Sequence, residues 1–216
     1  MSIKHKIQII CIIALVGILG VLYWLNIIPH FKYQDEDFGI TTYKSQVDYD
    51  NDGIDDQTDI LQGVKAYIST NPKYKSKYYG TGYPDDEYGV CTDVVAQGLL
   101  NAGYDLMTLV NEHVLAHGEL YEIEKPDINI DFRRVRNLLV YFEDTAIRLT
   151  TDVSQIEEWQ AGDIVVFEGH VGIVSSNRNR KGIPYIIHHA SPQQLRYEED
   201  ILENRKDEIL GHYRVS

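Results

Sequence analysis

The chain has few cysteines: two among 216 residues, alongside six prolines and two tryptophans. Cys11 lies within an N-terminal apolar run, so Cys91 is the only cysteine of the polar remainder. Two cysteines in such different surroundings do not form a disulfide framework, which excludes the small disulfide-rich secreted folds. Cys91 is therefore expected to carry a free thiol.

Positive charge is also scarce. The chain has 20 Lys and Arg against 33 Asp and Glu, a net charge of −13. Residues 29–216 carry 18 basic and all 33 acidic residues, a net charge of −15. A surface this acidic repels phosphate backbones and anionic headgroups, so we expect no nucleic-acid partner. The length suits one domain with its own core.

The longest apolar run, Ile7–Ile28, contains no charged residue and is long enough to cross a bilayer as a helix. Two lysines precede it, and Tyr23 and Trp24 lie near its far end, a pattern typical of a helix whose N-terminus stays inside the cell. A cleaved signal peptide is the alternative, but no small-x-small cleavage site follows the run. We predict a transmembrane anchor over residues 1–28, with the rest of the chain on the extracytoplasmic side.

Residues 29–46 are polar and aromatic without a clear period, which predicts a linker. Residues 47–69 are then predicted to form an acidic loop and a helix. Carboxylates occupy loop positions 1, 3, 5, 9 and 12, with a glycine at position 6 and a backbone carbonyl at position 7. The candidate ligands are Asp48, Asp50, Asp52, Ile54, Asp56 and Asp59.

This spacing is that of an EF-hand-type loop, because Ca²⁺ takes six or more hard oxygen ligands and Gly53 permits the sharp turn. Asp59 is shorter than the glutamate usual at the last position. The alternative is a solvated acidic turn that caps the helix predicted from Thr58 to Ser69. We predict a structural Ca²⁺ ion as the cofactor.

Beyond this loop the periodicity changes from helical to strand-like. Apolar residues recur at helical spacing after Cys91, over Leu106–Ala116 and over Asp131–Phe142, which predicts three helices. Runs of β-branched and aromatic residues then follow at 163–167, 171–175, 185–189 and 211–215, which predicts strands. Helices followed by an antiparallel meander indicate an α+β fold with helices packed on an antiparallel sheet.

Cys91 begins the first of these helices, and a thiolate at a helix N-terminus is stabilised by the helix dipole. His170 begins one predicted strand, and His188 and His189 end the next. A hairpin between these strands brings the histidines to one end of the sheet. Thiol catalysis uses a nucleophile, a base and a residue that orients the base. Each of these residues on its own has a non-catalytic alternative. Cys91 could be a buried core cysteine, and each histidine could be a core or surface residue.

These segments resemble the NlpC-type cell-wall cysteine peptidases, which are circularly related to papain and cut peptide bonds in peptidoglycan stems. The resemblance lies in a cysteine that begins a helix, in Gly-Asp and an apolar strand at 162–167, in His-Val-Gly-Ile at 170–173 and in a later strand that ends in a polar residue.

A more specific similarity links about residues 60–215 to an uncharacterised bacterial family of unknown function. Its marks are Gly82-Tyr-Pro84, Gly89-Val-Cys-Thr-Asp-Val-Val95, Asn129-Ile-Asp131, Arg133-Arg-Val135, Asn137-Leu138 and Ile187-His188.

The resemblance implies a papain-like (NlpC-type) cysteine hydrolase domain over residues 70–216. In it, Cys91 is the nucleophile, His170 is the general base and His188 orients the ring of His170. Matching on the His-Ala-Ser string selects His189 as the third residue instead. Strand alternation allows only one of the two to face the site.

Tyr79 is the candidate for an oxyanion tyrosine, with Tyr78, Tyr83 and Tyr88 as alternatives. Three roles are open for a group of charged residues: they shape the cleft, bind a substrate carboxylate or form a surface salt bridge. These residues are Asp93, Arg133 and Arg134.

The implied function is hydrolysis of an amide bond through an acyl-enzyme, with peptidoglycan or another peptide as substrate. Acyl transfer by the same triad and a non-catalytic binding or assembly module on the same scaffold are the alternatives.

Overall fold

The structure, a computed structural model, describes residues 2–24 and 27–215. It divides into two compact units, Met1–Lys32 and Tyr33–Ser216. The first unit contains helix α1 (Ile3–Trp24), which includes a 21-residue span of mean hydropathy 2.3. Its length and composition are those that a membrane anchor or a signal sequence requires. Residues 1, 25 and 26 of the predicted anchor lie outside the described residues.

The second unit is α+β, as the sequence predicts. Its helices are α2 (Asp56–Ser69), α3 (Cys91–Asn101), α4 (Leu106–Ala116) and α5 (Val135–Thr145). Its strands are β1 (Lys73–Tyr74), β2 (Tyr88–Gly89), β3 (Ile147–Arg148), β4 (Ile164–Phe167), β5 (His170–Arg178), β6 (Pro184–Ile187), β7 (Glu198–Glu199) and β8 (Ile209–Arg214). Three short 3₁₀ turns cover Asp35–Phe38, Gly118–Leu120 and Asp131–Arg133.

Six strands form one antiparallel sheet in the order β3-β8-β4-β5-β6-β7. Strands β4, β5 and β6 form the predicted meander. Strand β8 does not continue this meander. After β7 the chain crosses back, and β8 pairs with β4. Strands β1 and β2 form a separate parallel pair immediately before α3.

Both faces of this sheet are buried, because alternate strand residues enter two different apolar clusters. Val171 and Ile173 of β5 pack with buried residues of α2 and α3 in the first cluster. Phe167 and Ile186 pack with Trp159 in the second. The helices therefore cover one face only, and the loops before β4 and after β7 cover the other.

The segment after Lys32, part of the predicted linker, is packed against the sheet. Tyr33 forms an isolated bridge with Arg178 at the end of β5. The carboxylate of Asp35 accepts a hydrogen bond of 2.5 Å from Arg178 Nε. The same guanidinium donates to three backbone carbonyl groups, those of Ile156, Trp159 and Gly182. Residues 33–46 therefore contribute to the domain.

The fully buried carboxylate of Asp163 connects three parts of this domain. Gln57 of α2 donates to it over 2.6 Å. From β8, His212 Nε2 donates over 3.0 Å and Arg214 Nε over 2.7 Å. The preceding residue, Gly162, has a φ of +91°, and a Cβ there would lie 2.6 Å from the carbonyl oxygen of Gln57. The Gly-Asp pair therefore ties α2 and β8 to β4, and glycine is required for the close approach.

Replacing Asp163 with alanine is expected to lower the free energy of unfolding by about 3–5 kcal/mol, because a buried arginine loses its partner. Thermal unfolding of the full-length protein in mild detergent measures the change, with an expected fall in Tm of roughly 6–15 °C. The control is Asp85→Ala, which removes an exposed carboxylate and should change stability by less than about 0.5 kcal/mol. Similar small effects in both variants would contradict the role of Asp163.

Candidate functional site

Cys91 is the first residue of α3, directly after the extended residue Val90. Its side chain is partly buried and packs against the first apolar cluster. The backbone N–H groups of Val171, of Thr92 and of Cys91 itself lie near the sulfur and favour its thiolate. Because Val171 directly follows His170, the sulfur lies beside the first residues of β5.

The environment of Cys91 keeps the thiol protonated. Burial raises the pKa of the Cys91 thiol above its ordinary value, and the charge of Asp93 raises it further, although the three N–H groups act in the opposite direction. This direction is opposite to the one expected for a thiolate stabilised by the helix dipole. Nucleophilic attack by this sulfur requires a base that removes the proton during the reaction.

At one end of the sheet, His170 is hydrogen-bonded to His188, and Glu199 lies at ion-pair distance from the other ring nitrogen of His188. His170 Nε2 lies 3.0 Å from His188 Nδ1, and His188 Nε2 lies 3.2 Å from Glu199 Oε2. Because a carboxylate only accepts, we assign the proton of His188 to Nε2, so that its Nδ1 accepts the proton of His170 Nε2. His170 then has an unprotonated Nδ1, as a general base requires.

Gln194 supports this assignment. Its amide nitrogen donates to the backbone carbonyls of His188, over 3.1 Å, and Arg196, over 2.7 Å. Its carbonyl oxygen accepts from the N–H of Ala190 over 2.6 Å. Both amide protons are therefore used, and the approach of Gln194 to His188 Nε2, at 3.4 Å, does not displace Glu199 as the acceptor.

Burial also determines the charge of His170. It lowers the pKa of His170 to about 2, with smaller contributions from His188 and Arg205. The imidazole is therefore neutral across the physiological range, and the same burial disfavours its protonation. A neutral thiol and a neutral imidazole, and not a preformed ion pair, constitute the resting site.

His189 lies in a different environment from His188. Its ring contacts those of Tyr74 and Tyr197, at centroid distances of 5.2 and 5.1 Å, and its buried Nδ1 has no hydrogen-bond partner among the described residues. His189 lines a cavity of about 480 Å³ together with Tyr74 and Tyr197. Tyr74 also interacts electrostatically with Cys91. Tyr74 is therefore the lining residue through which the cavity approaches the surroundings of Cys91.

Of the predicted triad, the structure joins His170 to His188 and places Cys91 against the residue that follows His170. Within residues 2–24 and 27–215, no side-chain hydrogen bond joins Cys91 to His170. The structure pairs His170 with His188 and not with His189. The catalytic roles of these residues stay predictions.

Sequence reasoning missed Glu199 and Tyr74. Glu199 lies in the two-residue strand β7, in a stretch with no strand-like periodicity, and it reaches His188 only because β7 pairs with β6. Tyr74 belongs to β1, which the sequence analysis did not predict. Neither residue had a local signal that distinguishes it from other acidic residues and tyrosines of the domain.

Two of the tyrosines considered for an oxyanion hole are hydrogen-bonded elsewhere. The hydroxyl of Tyr79 donates to Asp86 over 2.7 Å. The guanidinium carbon of Arg133 lies 5.0 Å from the centroid of the Tyr79 ring. The hydroxyl of Tyr83 donates to Asp105 over 2.7 Å. Among the described residues, no contact brings either hydroxyl to Cys91.

The acidic loop brings three of its six predicted ligands together. Carboxylate oxygens of Asp48, Asp50 and Asp52 lie within 4.8 Å of one another. The N–H of Ile54 donates to Asp52 over 2.8 Å, which closes the turn. Asp55 is the N-cap of α2 and accepts from the N–H of the residue three positions later. The capping role considered as the alternative is therefore present in the same loop.

The two remaining carboxylates, Asp56 and Asp59, are buried at the start of α2. The hydroxyl of Tyr104 donates to Asp56 over 2.5 Å, and the amide of Asn101 donates to Asp59 over 2.6 Å. Burial, followed by the charges of neighbouring aspartates, raises the pKa of Asp59 to about 6. The neighbouring aspartates thus disfavour ionisation of Asp59.

The family model described as "Domain of unknown function (DUF1287)" matches residues 61–215. "Uncharacterized protein YijF" of Escherichia coli (strain K12) is 33% identical over 168 residues, which cover 72% of this chain and 80% of that protein. No solved structure matches. The span of the family model contains Cys91, His170 and His188 but begins after the acidic loop. Neither match tests the resemblance to the cell-wall cysteine peptidases.

Alkylation of Cys91 is expected to show the raised pKa directly. In a Cys11→Ser background, the rate with iodoacetamide should rise with pH to a midpoint above the value of about 8.5 of a free thiol. Below pH 7 it should be slower than the rate of glutathione, because the buried thiol stays protonated. Mass spectrometry of the modified peptide measures the rate. A midpoint below that of glutathione would show that the site holds a preformed thiolate.

Proposed function

Because this chain belongs to the DUF1287 family, whose description assigns no activity, we propose a function from the site itself. The protein is a membrane-anchored, extracytoplasmic cysteine hydrolase that cleaves an amide bond in a peptide. One observation carries the proposal: strand β5 brings the backbone of Val171, the residue after His170, beside the sulfur of Cys91, and His170 is hydrogen-bonded to His188.

In this proposal His170 Nδ1 accepts the proton of Cys91 as the sulfur attacks the substrate carbonyl carbon. The negative charge of Glu199, transmitted through His188, stabilises the imidazolium that forms on His170. The backbone N–H groups at the start of α3 are donors for the developing oxyanion.

The tetrahedral intermediate then expels the amine, which takes the proton from His170 and leaves a thioester on Cys91. His170 next removes a proton from a water molecule as that water attacks the thioester. The sulfur leaves, recovers a proton from His170, and the carboxylic acid product is released. Cys91 and His170 thereby return to their neutral resting forms.

The cavity that Tyr74 shares with His189 indicates the kind of substrate. It is lined by three tyrosines and two prolines, with Lys73, Arg196 and His189 as its basic residues and no Asp or Glu among its lining residues. In a domain of net charge −15, such a lining favours a neutral or anionic peptide. Helix α1 as an anchor keeps the domain close to the cell wall, so the peptide part of peptidoglycan is the substrate that we propose.

The NlpC-type, papain-like fold belongs to the same proposal. A nucleophilic cysteine at the start of a helix, followed by a base and an orienting residue on neighbouring strands of one antiparallel sheet, supports it. This fold explains why the sequence motifs and the structural elements follow one another in the same order along the chain.

Incubation of the full-length protein with purified peptidoglycan fragments, analysed by mass spectrometry, tests this function. We expect Cys91→Ala to abolish product formation. His188→Ala should lower kcat by roughly a hundredfold or more, because His170 loses its orienting partner.

The matched control is His189→Ala, which changes the adjacent residue and should act mainly on KM. The opposite ranking would mean that His189 is the residue that acts with His170. Products joined to an added amine would indicate acyl transfer. Binding of the fragments without any new product, in the parent protein as in Cys91→Ala, would indicate a non-catalytic binding module.

We further propose that the acidic loop binds Ca²⁺ in a structural role. Asp48, Asp50 and Asp52 would hold the ion from the loop, and Asp56 and Asp59 at the start of α2 would complete the carboxylate set with the carbonyl of Ile54. The crowding of these carboxylates supports the proposal, because a divalent cation relieves their repulsion.

Calcium is expected to raise Tm at pH 7 and to raise it less at pH 5. The raised pKa of Asp59 stabilises the folded state at low pH, and this stabilisation is lost as pH rises through about 6; calcium therefore has more repulsion to relieve at pH 7. Asp50→Ala combined with Asp52→Ala should abolish the calcium effect and raise Tm in its absence. A calcium-independent Tm of the parent protein would show that the loop is only a helix-capping turn.

A further inference from the structure

A buried ion pair lies directly behind the proposed nucleophile. Asp93 is the third residue of α3, and its carboxylate accepts from Arg133 Nε over 2.6 Å and from Arg133 Nη2 over 2.9 Å. Side-chain exposure is 0% for Asp93 and 2% for Arg133. The sequence left open a surface salt bridge or binding of a substrate carboxylate for these residues. Neither interpretation fits Arg133, whose guanidinium is buried and hydrogen-bonded to Asp93.

The pair also holds the backbone on both sides of Cys91. The N–H of Val90 donates to Asp93 Oδ2 over 2.8 Å, which fixes the residue before the thiol. The hydroxyl of Thr92, the residue after the thiol, donates to the carbonyl oxygen of Arg133 over 3.3 Å. Arg133 Nη1 in turn donates to the carbonyl oxygen of Lys77 over 2.7 Å. The first turn of α3 is therefore connected through one guanidinium to the segment that precedes β2.

Stability alone does not account for such a pair. Removing both charges from water costs more than their attraction returns in many proteins, and apolar residues of the same volume are often neutral or stabilising replacements. The position next to Cys91 suggests a different reason, because the pair controls both the geometry and the local charge at the sulfur.

We propose that Asp93 and Arg133 are positioning residues for Cys91: together they hold the first turn of α3 in the orientation that presents the thiol, and Arg133 offsets the negative charge that Asp93 places near the sulfur. This inference rests on the proposed hydrolase function. Its closing experiment includes a measurement on the thiol that needs no substrate.

The charge of Asp93 disfavours the thiolate of Cys91, so the two members of the pair should act on the thiol in opposite directions. The other titratable groups that interact with the thiol or with the pair are Tyr74 of β1, Tyr67 of α2, Tyr79 and His189. None of them changes in the variants below, so a change in the thiol reports on the pair itself.

The experiment uses the full-length protein in detergent, with Cys11→Ser as background, and measures the iodoacetamide rate of Cys91 at pH 7. Asp93→Asn should raise this rate about threefold or more, and Arg133→Gln should lower it by a similar factor, which corresponds to about half a pKa unit each. The double variant should return close to the parent rate, because the two charges are removed together.

Turnover of peptidoglycan fragments provides the second measurement. Each single variant should lower kcat by about tenfold or more while KM changes by less than about twofold, because positioning affects the reacting thiol and not substrate binding. Arg133→Lys keeps the positive charge but loses the bidentate hydrogen bonding to Asp93. It should restore the alkylation rate without restoring kcat.

Asp35→Asn is the matched control, because it also disrupts a buried aspartate–arginine pair, with Arg178. It should lower Tm but leave the alkylation rate and kcat unchanged. Equal alkylation rates in the parent, Asp93→Asn and Arg133→Gln would overturn the proposal, as would changes in the same direction that follow Tm.

If Arg133→Gln does not fold, Arg133→Lys decides the question, and an unchanged kcat in that variant would overturn the positioning role. If the parent protein cleaves no fragment, the proposed function fails. Opposite shifts of the alkylation rate would then still support the charge balance at Cys91.

Discussion

The buried carboxylate of Asp163 is the interaction on which the arrangement of this domain depends. It receives hydrogen bonds from α2, from the turn before β4 and from β8, and thereby joins a helix to two neighbouring strands. Helix α2 packs closely against α3, and α3 carries Cys91 at its first residue. Helix α3 also packs directly on β5, so both contacts position the thiol relative to the sheet.

Burial has the same consequence for both reactants of the proposed site. It raises the pKa of the Cys91 thiol and lowers that of His170, so the resting site carries no charge on either. In the proposed mechanism the carboxylate of Glu199, 3.2 Å from His188 Nε2, stabilises the proton once His170 has accepted it. A site of this kind activates its nucleophile during the reaction and protects the thiol from oxidation between turnovers.

Charge is distributed unevenly in the domain. Its surface is acidic, yet three arginines, Arg133, Arg178 and Arg214, bind aspartates that are buried. One pair lies behind Cys91, one joins residues 33–46 to the sheet, and one belongs to the Asp163 hub. The acidic loop precedes the span matched by the DUF1287 family model, so the proposed calcium site is an addition to the part that defines the family.

The sequence by itself determined the N-terminal apolar helix, the α+β class, the helix that begins at Cys91 and the helix Leu106–Ala116, because these depend on local periodicity and local turn residues. Strand alternation also required that His188 and His189 differ in direction. Only the tertiary structure decided that His188 contacts His170, that β8 pairs with β4, and that Glu199 and Tyr74 join the site. Burial by residues distant in sequence also raises the pKa of the Cys91 thiol, an effect opposite to that of the helix N-terminus and not readable from the local sequence.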